Sequence, residues 1–89
     1  MLFHSTRGND LDRTFEEVLM QGLAKDGGLF MPDFWPKVDI NKLRTKTTFI
    51  EIAKEIVPLF TSSSFNKDEV IKLLDTTNSI LINNLHNML

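Results

Sequence analysis

The spacing of apolar positions changes several times along the chain, and each change marks an element. Leu2, Phe3 and His4 form a short run that stops at the polar, glycine-containing stretch Ser5-Thr6-Arg7-Gly8-Asn9-Asp10, which predicts an edge strand followed by a loop. Thr14-Phe15-Glu16-Glu17 has the spacing of a capping box, in which hydroxyl and carboxylate each satisfy a backbone N–H at the start of a helix. Phe15, Val18, Leu19, Gly22 and Leu23 then recur at helical spacing as one buried stripe. The pattern predicts a helix with Lys25 in or near its last turn and Gly27-Gly28 as its C-terminal cap, since glycine adopts positive φ at little cost.

Leu29-Phe30-Met31 is a second strand candidate able to pair with the first, closed by Pro32, which removes a backbone donor. Between Pro32 and Pro36 the chain is expected to be extended, with Phe34 and Trp35 folding back onto the core. Asp39 precedes Ile40 to Leu43 as the cap of a short helical turn. Thr48-Phe49-Ile50-Glu51 repeats the capping-box spacing, and Phe49, Ile52, Ala53, Ile56, Val57 and Phe60 fall on one face of the helix that follows. Pro58 is expected to kink that helix or end it near Ile56 or Val57. After a Ser62 to Ser64 linker, Asn66-Lys67-Asp68-Glu69 carries a third helix-start signature ahead of Val70, Leu73 and Leu74. From Thr76 to Leu89 there is no Asp, Glu, Lys or Arg and there are four Asn. Its apolar residues fit either a helical row of Leu81, Leu85, Met88 and Leu89 or a short strand around Ile80 to Ile82.

These elements amount to a mostly helical α+β fold: a small two-stranded sheet with three to four short amphipathic helices. A chain of 89 residues forms one small domain with a thin core, because a domain this short buries only about 60% of its unfolded surface. Hydrophobic residues make up 42% and charged residues 25% of the chain, which favours a folded domain over a disordered segment or a membrane span. The formal charge of −2 is spread evenly between the two halves, so no basic arm is present for nucleic acid. With no cysteine, and with His4 and His86 at opposite ends of the chain, thiolate chemistry is excluded and a metal site is disfavoured. The N-terminus lacks the pattern of a secretory signal, which makes the cytoplasm the expected compartment.

Two loops carry candidate chemistry. Ser5, Thr6, Arg7 and Gly8 combine hydroxyls, a guanidinium and loop N–H groups suited to a phosphate. Weighed against that, Arg7 can instead tie the loop to a carboxylate or to another domain. Asp26, Gly27 and Gly28 allow a close backbone approach to a ligand, although a helix cap explains both glycines without one.

The phrase formed by Ser5-Thr6-Arg7-Gly8, Phe15-Glu16-Glu17-Val18-Leu19, Gly22-Leu23-Ala24, Asp26-Gly27-Gly28-Leu29-Phe30 and Pro32 resembles the opening of threonine synthase. The resemblance covers residues 1–75, and residues 76–89 depart from it as an uncharged tail. It implies a family whose members convert O-phospho-L-homoserine and water to L-threonine and phosphate in threonine biosynthesis. Family members hold pyridoxal phosphate through a lysine in a large downstream α/β region, and no part of that region is in this chain. The expectation is therefore an N-terminal domain with no cofactor, catalytic residue or metal of its own, inactive alone. Its expected partner is a catalytic domain encoded separately or lost. The seven lysines, at 25, 37, 42, 46, 54, 67 and 72, all lie in polar contexts, whereas a Schiff-base lysine is desolvated to lower its pKa. An interaction module and a small phosphometabolite binder acting through Arg7 are the competing readings.

Overall fold

In the computed structural model, which describes residues 1–88, the order of elements is β1 (Phe3–Ser5), α1 (Phe15–Gln21), β2 (Phe30–Pro32), α2 (Ile40–Leu43), α3 (Phe49–Thr61) and α4 (Lys67–Met88). The fold is α+β and mostly helical. Strands β1 and β2 pair antiparallel, with Phe3 opposite Pro32, His4 opposite Met31 and Ser5 opposite Phe30. Phe3 also bridges Arg13 on its other side, using both its N–H (2.8 Å) and its carbonyl (3.0 Å). Its backbone asks nothing of Pro32, so the proline's missing donor costs the ladder no hydrogen bond.

The helix starts follow from the caps. Thr14 and Glu17 form the reciprocal capping box, Asp39 accepts from the N–H groups of Asn41 and Lys42, and Thr48 accepts from Glu51. Asn66 accepts from Asp68 N–H at 2.8 Å. Each satisfies N–H groups that the first turn of a helix leaves unpaired.

The end of α1 departs from the sequence expectation. The helix stops at Gln21, and Gly22, with φ 78° and ψ −92°, is its cap. Lys25 lies outside the helix and Gly27-Gly28 caps nothing. Asp10 explains the early stop: its carboxylate takes the Gln21 side chain and the Lys25 N–H, both at 2.9 Å, and so draws residues 22–26 away from the helical path. Leu19 and Leu23 accordingly stay 61% and 62% exposed instead of completing a buried stripe.

Pro58 does not end α3, which runs on to Thr61 with Pro58 buried inside it. A mid-helix proline costs about 3 kcal/mol or more. Here the packing of α3 against α4 and the Lys54–Asp75 ion pair (2.6 Å) hold the two helices as a hairpin, while Ser62 N–H closes on Pro58 O at 3.0 Å. The segment from Thr76, open between helix and strand in the sequence, continues α4 through Met88.

The core is thin: Phe3, Ala24, Ala53 and Val70 are its buried hydrophobic residues. Phe15 links sheet to hairpin, with ring centroids 6.0 Å from Phe3 and 5.9 Å from Phe65. Trp35 meets Phe60 edge-on at 6.2 Å but remains 67% exposed, and Phe34 and Phe49 are exposed as well. The aromatics after Pro32 thus do not close the core. The radius of gyration is 15.5 Å, against about 12 Å for a compact domain of this length. The far end of α4 accounts for the excess, since its 22 residues span about 33 Å and those of α3, 13 in number, about 20 Å.

Candidate functional site

The two candidate loops lie against each other and form one hydrogen-bonded clasp. After β1 the chain turns at Gly8, whose N–H closes on Ser5 O at 3.0 Å with φ +81°. Across from it, Gly27 (φ +81°) turns residues 24–28, with Gly27 N–H to Ala24 O at 2.9 Å and Ala24 N–H to Gly28 O at 3.1 Å. Both turns need the left-handed backbone that glycine adopts readily.

Asp26 is the centre of the clasp. Its carboxylate accepts from the Ser5 hydroxyl (2.6 Å), the Gly28 N–H (2.9 Å) and the Asn9 N–H (3.0 Å). Its carbonyl accepts from Arg7 Nη1 at 2.9 Å. The Ser5 hydroxyl, donating to Asp26, also accepts from Arg7 N–H at 3.1 Å. Thr6 joins the loops twice, through its N–H to Leu29 O (2.8 Å) and by accepting from Leu29 N–H on Oγ1 (3.1 Å). Gly28 is buried because the Ser5 hydroxyl, Thr6 Oγ1 and Arg7 N occupy the space its Cβ would take.

These bonds hold the Asp26 carboxyl below the usual carboxylate range, the Ser5 hydroxyl first and the Gly28 N–H next. The charged form is the one that the clasp is built around. Arg7 lies exposed over Gly27, and among the described residues no carboxylate makes an ion pair with it. The structure therefore brings together all seven residues, Ser5, Thr6, Arg7, Gly8, Asp26, Gly27 and Gly28, with most of their polar atoms turned on one another.

A second carboxylate, which the sequence reading passed over, extends the clasp inward. Asp10 is 3% exposed and accepts from Arg13 Nε at 2.6 Å, besides Gln21 and Lys25. Its pKa is pulled down from 3.8 to about 2 by the Lys25 N–H first and by Arg13 next. Arg13, whose guanidinium also reaches Glu17 at 3.3 Å, is held more firmly protonated by Asp10. The signal available in the sequence was Asp10 three residues before Arg13, a spacing that resembles ordinary surface charge unless the burial of the loop is known.

A cleft of about 390 Å³ lies among Lys37, Asp39, Lys42, Leu43, Glu55 and Lys67, away from the clasp. Glu55 pairs there with Lys42 (3.1 Å) and Lys46 (4.0 Å); its carboxyl is held below the usual range, chiefly by Lys42. Among the described residues no group of three or more metal-ligating side chains converges. No helix of these residues is long and apolar enough to cross a membrane.

Fold and site together define a small α+β domain whose two loops are locked by carboxylate-centred hydrogen bonds. The family profile described as threonine synthase N terminus matches residues 2–78, and the chain belongs to that family. It is 48% identical over 64 residues to threonine synthase-like 2 of Xenopus laevis, covering 70% of this chain and 14% of the relative. With the threonine synthase of Schizosaccharomyces pombe it shares 38% identity over 78 residues, 84% of this chain and 15% of the relative. The threonine synthase of Pseudomonas aeruginosa is 32% identical over 79 residues, 86% of this chain and 17% of the relative. The chain thus spans about one-sixth or less of the length of these relatives. No solved structure matches it.

The pyridoxal phosphate implied by the family can be tested against the lysines. None of the seven is buried, and Lys42, Lys46 and Lys54 are engaged by carboxylates. An amine that forms an imine must be available unprotonated, which desolvation promotes and a neighbouring carboxylate opposes. These residues do not fit the cofactor.

Proposed function

We propose that this chain is the N-terminal docking domain of a threonine-forming enzyme, inactive by itself and working in the cytoplasm with a catalytic region carried elsewhere. That region would hold pyridoxal phosphate and turn O-phospho-L-homoserine and water into L-threonine and phosphate. The observation that carries the proposal is the pairing of family membership with surface lysines that offer no place for the cofactor.

The exposed side chains support a docking role. Leu19, Met20, Leu23, Leu29, Phe34 and Trp35 are all more than half exposed, apolar side chains of the kind that a docked partner would cover. The same surface supports a second reading, a module that docks on a different protein.

The test is complementation. A threonine synthase deprived of its own N-terminal region is assayed for phosphate release from O-phospho-L-homoserine with and without this chain. Activity restored on mixing supports the proposal. Phosphate release by this chain alone contradicts it, and binding to the truncated enzyme without restored activity favours the second reading.

A further inference from the structure

A single apolar stripe runs the length of α4 and is covered over only half of it. Val70, Leu74, Thr77, Leu81, Leu85 and Met88 recur at steps of four, three, four, four and three, which places them within one narrow face of an α-helix. At its start this face is packed: Val70 is buried, and Leu74 and Thr77 border a groove of about 230 Å³ shared with Phe15, Val57 and Phe65. Beyond Thr77 the cover ends. Leu81, Leu85 and Met88 are 50%, 53% and 81% exposed, and Ile80 and Ile82, on either flank, are also more than half exposed.

We propose that this overhang, residues 78–88 of α4, is a self-association surface whose occupant is the same segment of a second copy of the chain. Three observations select that occupant. The segment has no Asp, Glu, Lys or Arg, so two copies meet about a two-fold axis without like-charge repulsion, as an isologous contact requires. Of its polar residues, Ser79, Asn83 and His86 fall on the opposite side of the helix from the stripe, and the two that border it, Asn78 and Asn84, are uncharged amides. Five large apolar side chains per copy, each at least half exposed, approach the roughly 1,000 Å² in total that a specific interface needs. An anionic lipid surface is the poorer match, because interfacial helices carry lysine or arginine on the polar face and this segment has neither. The inference does not depend on the docking role proposed above.

Sedimentation equilibrium of the 89-residue chain over a wide concentration series tests it. The expected result is a reversible shift from one to two chain masses, weakened about tenfold or more by Leu81→Asp or Leu85→Asp, equivalent to about 1.4 kcal/mol. Asn83→Asp, on the opposite side, is expected to leave association unchanged. Circular dichroism of each variant establishes that helix content is retained. A wild-type chain that stays monomeric throughout overturns the proposal, whether or not it binds anionic vesicles. A dimer unaffected by both leucine substitutions overturns it as well.

Discussion

Substituting Gly28 by alanine tests the clasp with the smallest possible change. The added methyl would meet the Ser5 hydroxyl, and it would also lie 3.0 Å from Thr6 Oγ1 and 3.1 Å from Arg7 N. The φ of Gly28 is not in the left-handed region, so the cost comes from the clash alone. Overpacking a closed site costs about 1–3 kcal/mol. The upper half of that range is expected, because one neighbour is backbone and the Ser5 hydroxyl is already held by Asp26 and Arg7 N–H. A domain of this size loses about 4–8 °C of melting temperature per kcal/mol, so Gly28→Ala should melt about 8–24 °C lower. Urea unfolding followed by Trp35 fluorescence and circular dichroism measures the free-energy change. In the double variant with Ser5→Ala the nearest of the three clashing atoms is gone, and the combined loss should be smaller than the sum of the single losses. Gly28→Ala within about 0.5 kcal/mol of wild type, the usual effect of a surface substitution, would refute the reasoning.

Other consequences are checked by the same unfolding measurements. Gly22→Ala meets no atom within 4 Å but places a side chain at φ +78°, and should cost about 1–2 kcal/mol through backbone strain alone. Thr14→Ala removes the capping box and should cost about 1 kcal/mol, read as lost stability without a change in the sheet. Asp10 and Asp26 have carboxyl pKa values depressed in the folded chain. Their stabilisation is therefore present above the unfolded value near 3.9 and lost as pH falls toward the folded value of about 2 for Asp10. Stability should drop between about pH 4 and pH 2, and the drop should be shallower in Asp10→Asn; an unchanged acid limb in that variant would count against the role given to Asp10.

The parts of the fold legible in the sequence are those set by local chemistry. Thr14, Asp39, Thr48 and Asn66 cap the helices that their spacing announces, and the two strands pair as their apolar runs suggest. What escaped depends on contacts distant in the chain. The length of α1 is not legible locally because Asp10, from another loop, captures Gln21 and Lys25. Pro58 stays within α3 because packing on α4 offsets a local penalty that sequence alone weighs at full value.

For the site, sequence points to the two loops but not to how they meet, since paired glycines at 27 and 28 read as a helix cap when they form the turn beneath Ser5, Thr6 and Arg7. Burial was the least legible property. Leu19, Leu23, Phe34 and Trp35 have the composition of core residues, and only the three-dimensional arrangement shows that the core closes without them.

The central claim is that the clasp is a self-contained lock in a domain that folds without the cofactor or substrate of its family. Hydrogen exchange of the purified chain, alone and with pyridoxal phosphate or O-phospho-L-homoserine, tests it most directly. The account predicts protected N–H groups at Thr6, Asn9, Lys25, Gly28 and Leu29, with the same protection in all three samples. Amides of residues 5–8 that gain protection only when a ligand is added would contradict it and mark Arg7 as part of a binding site.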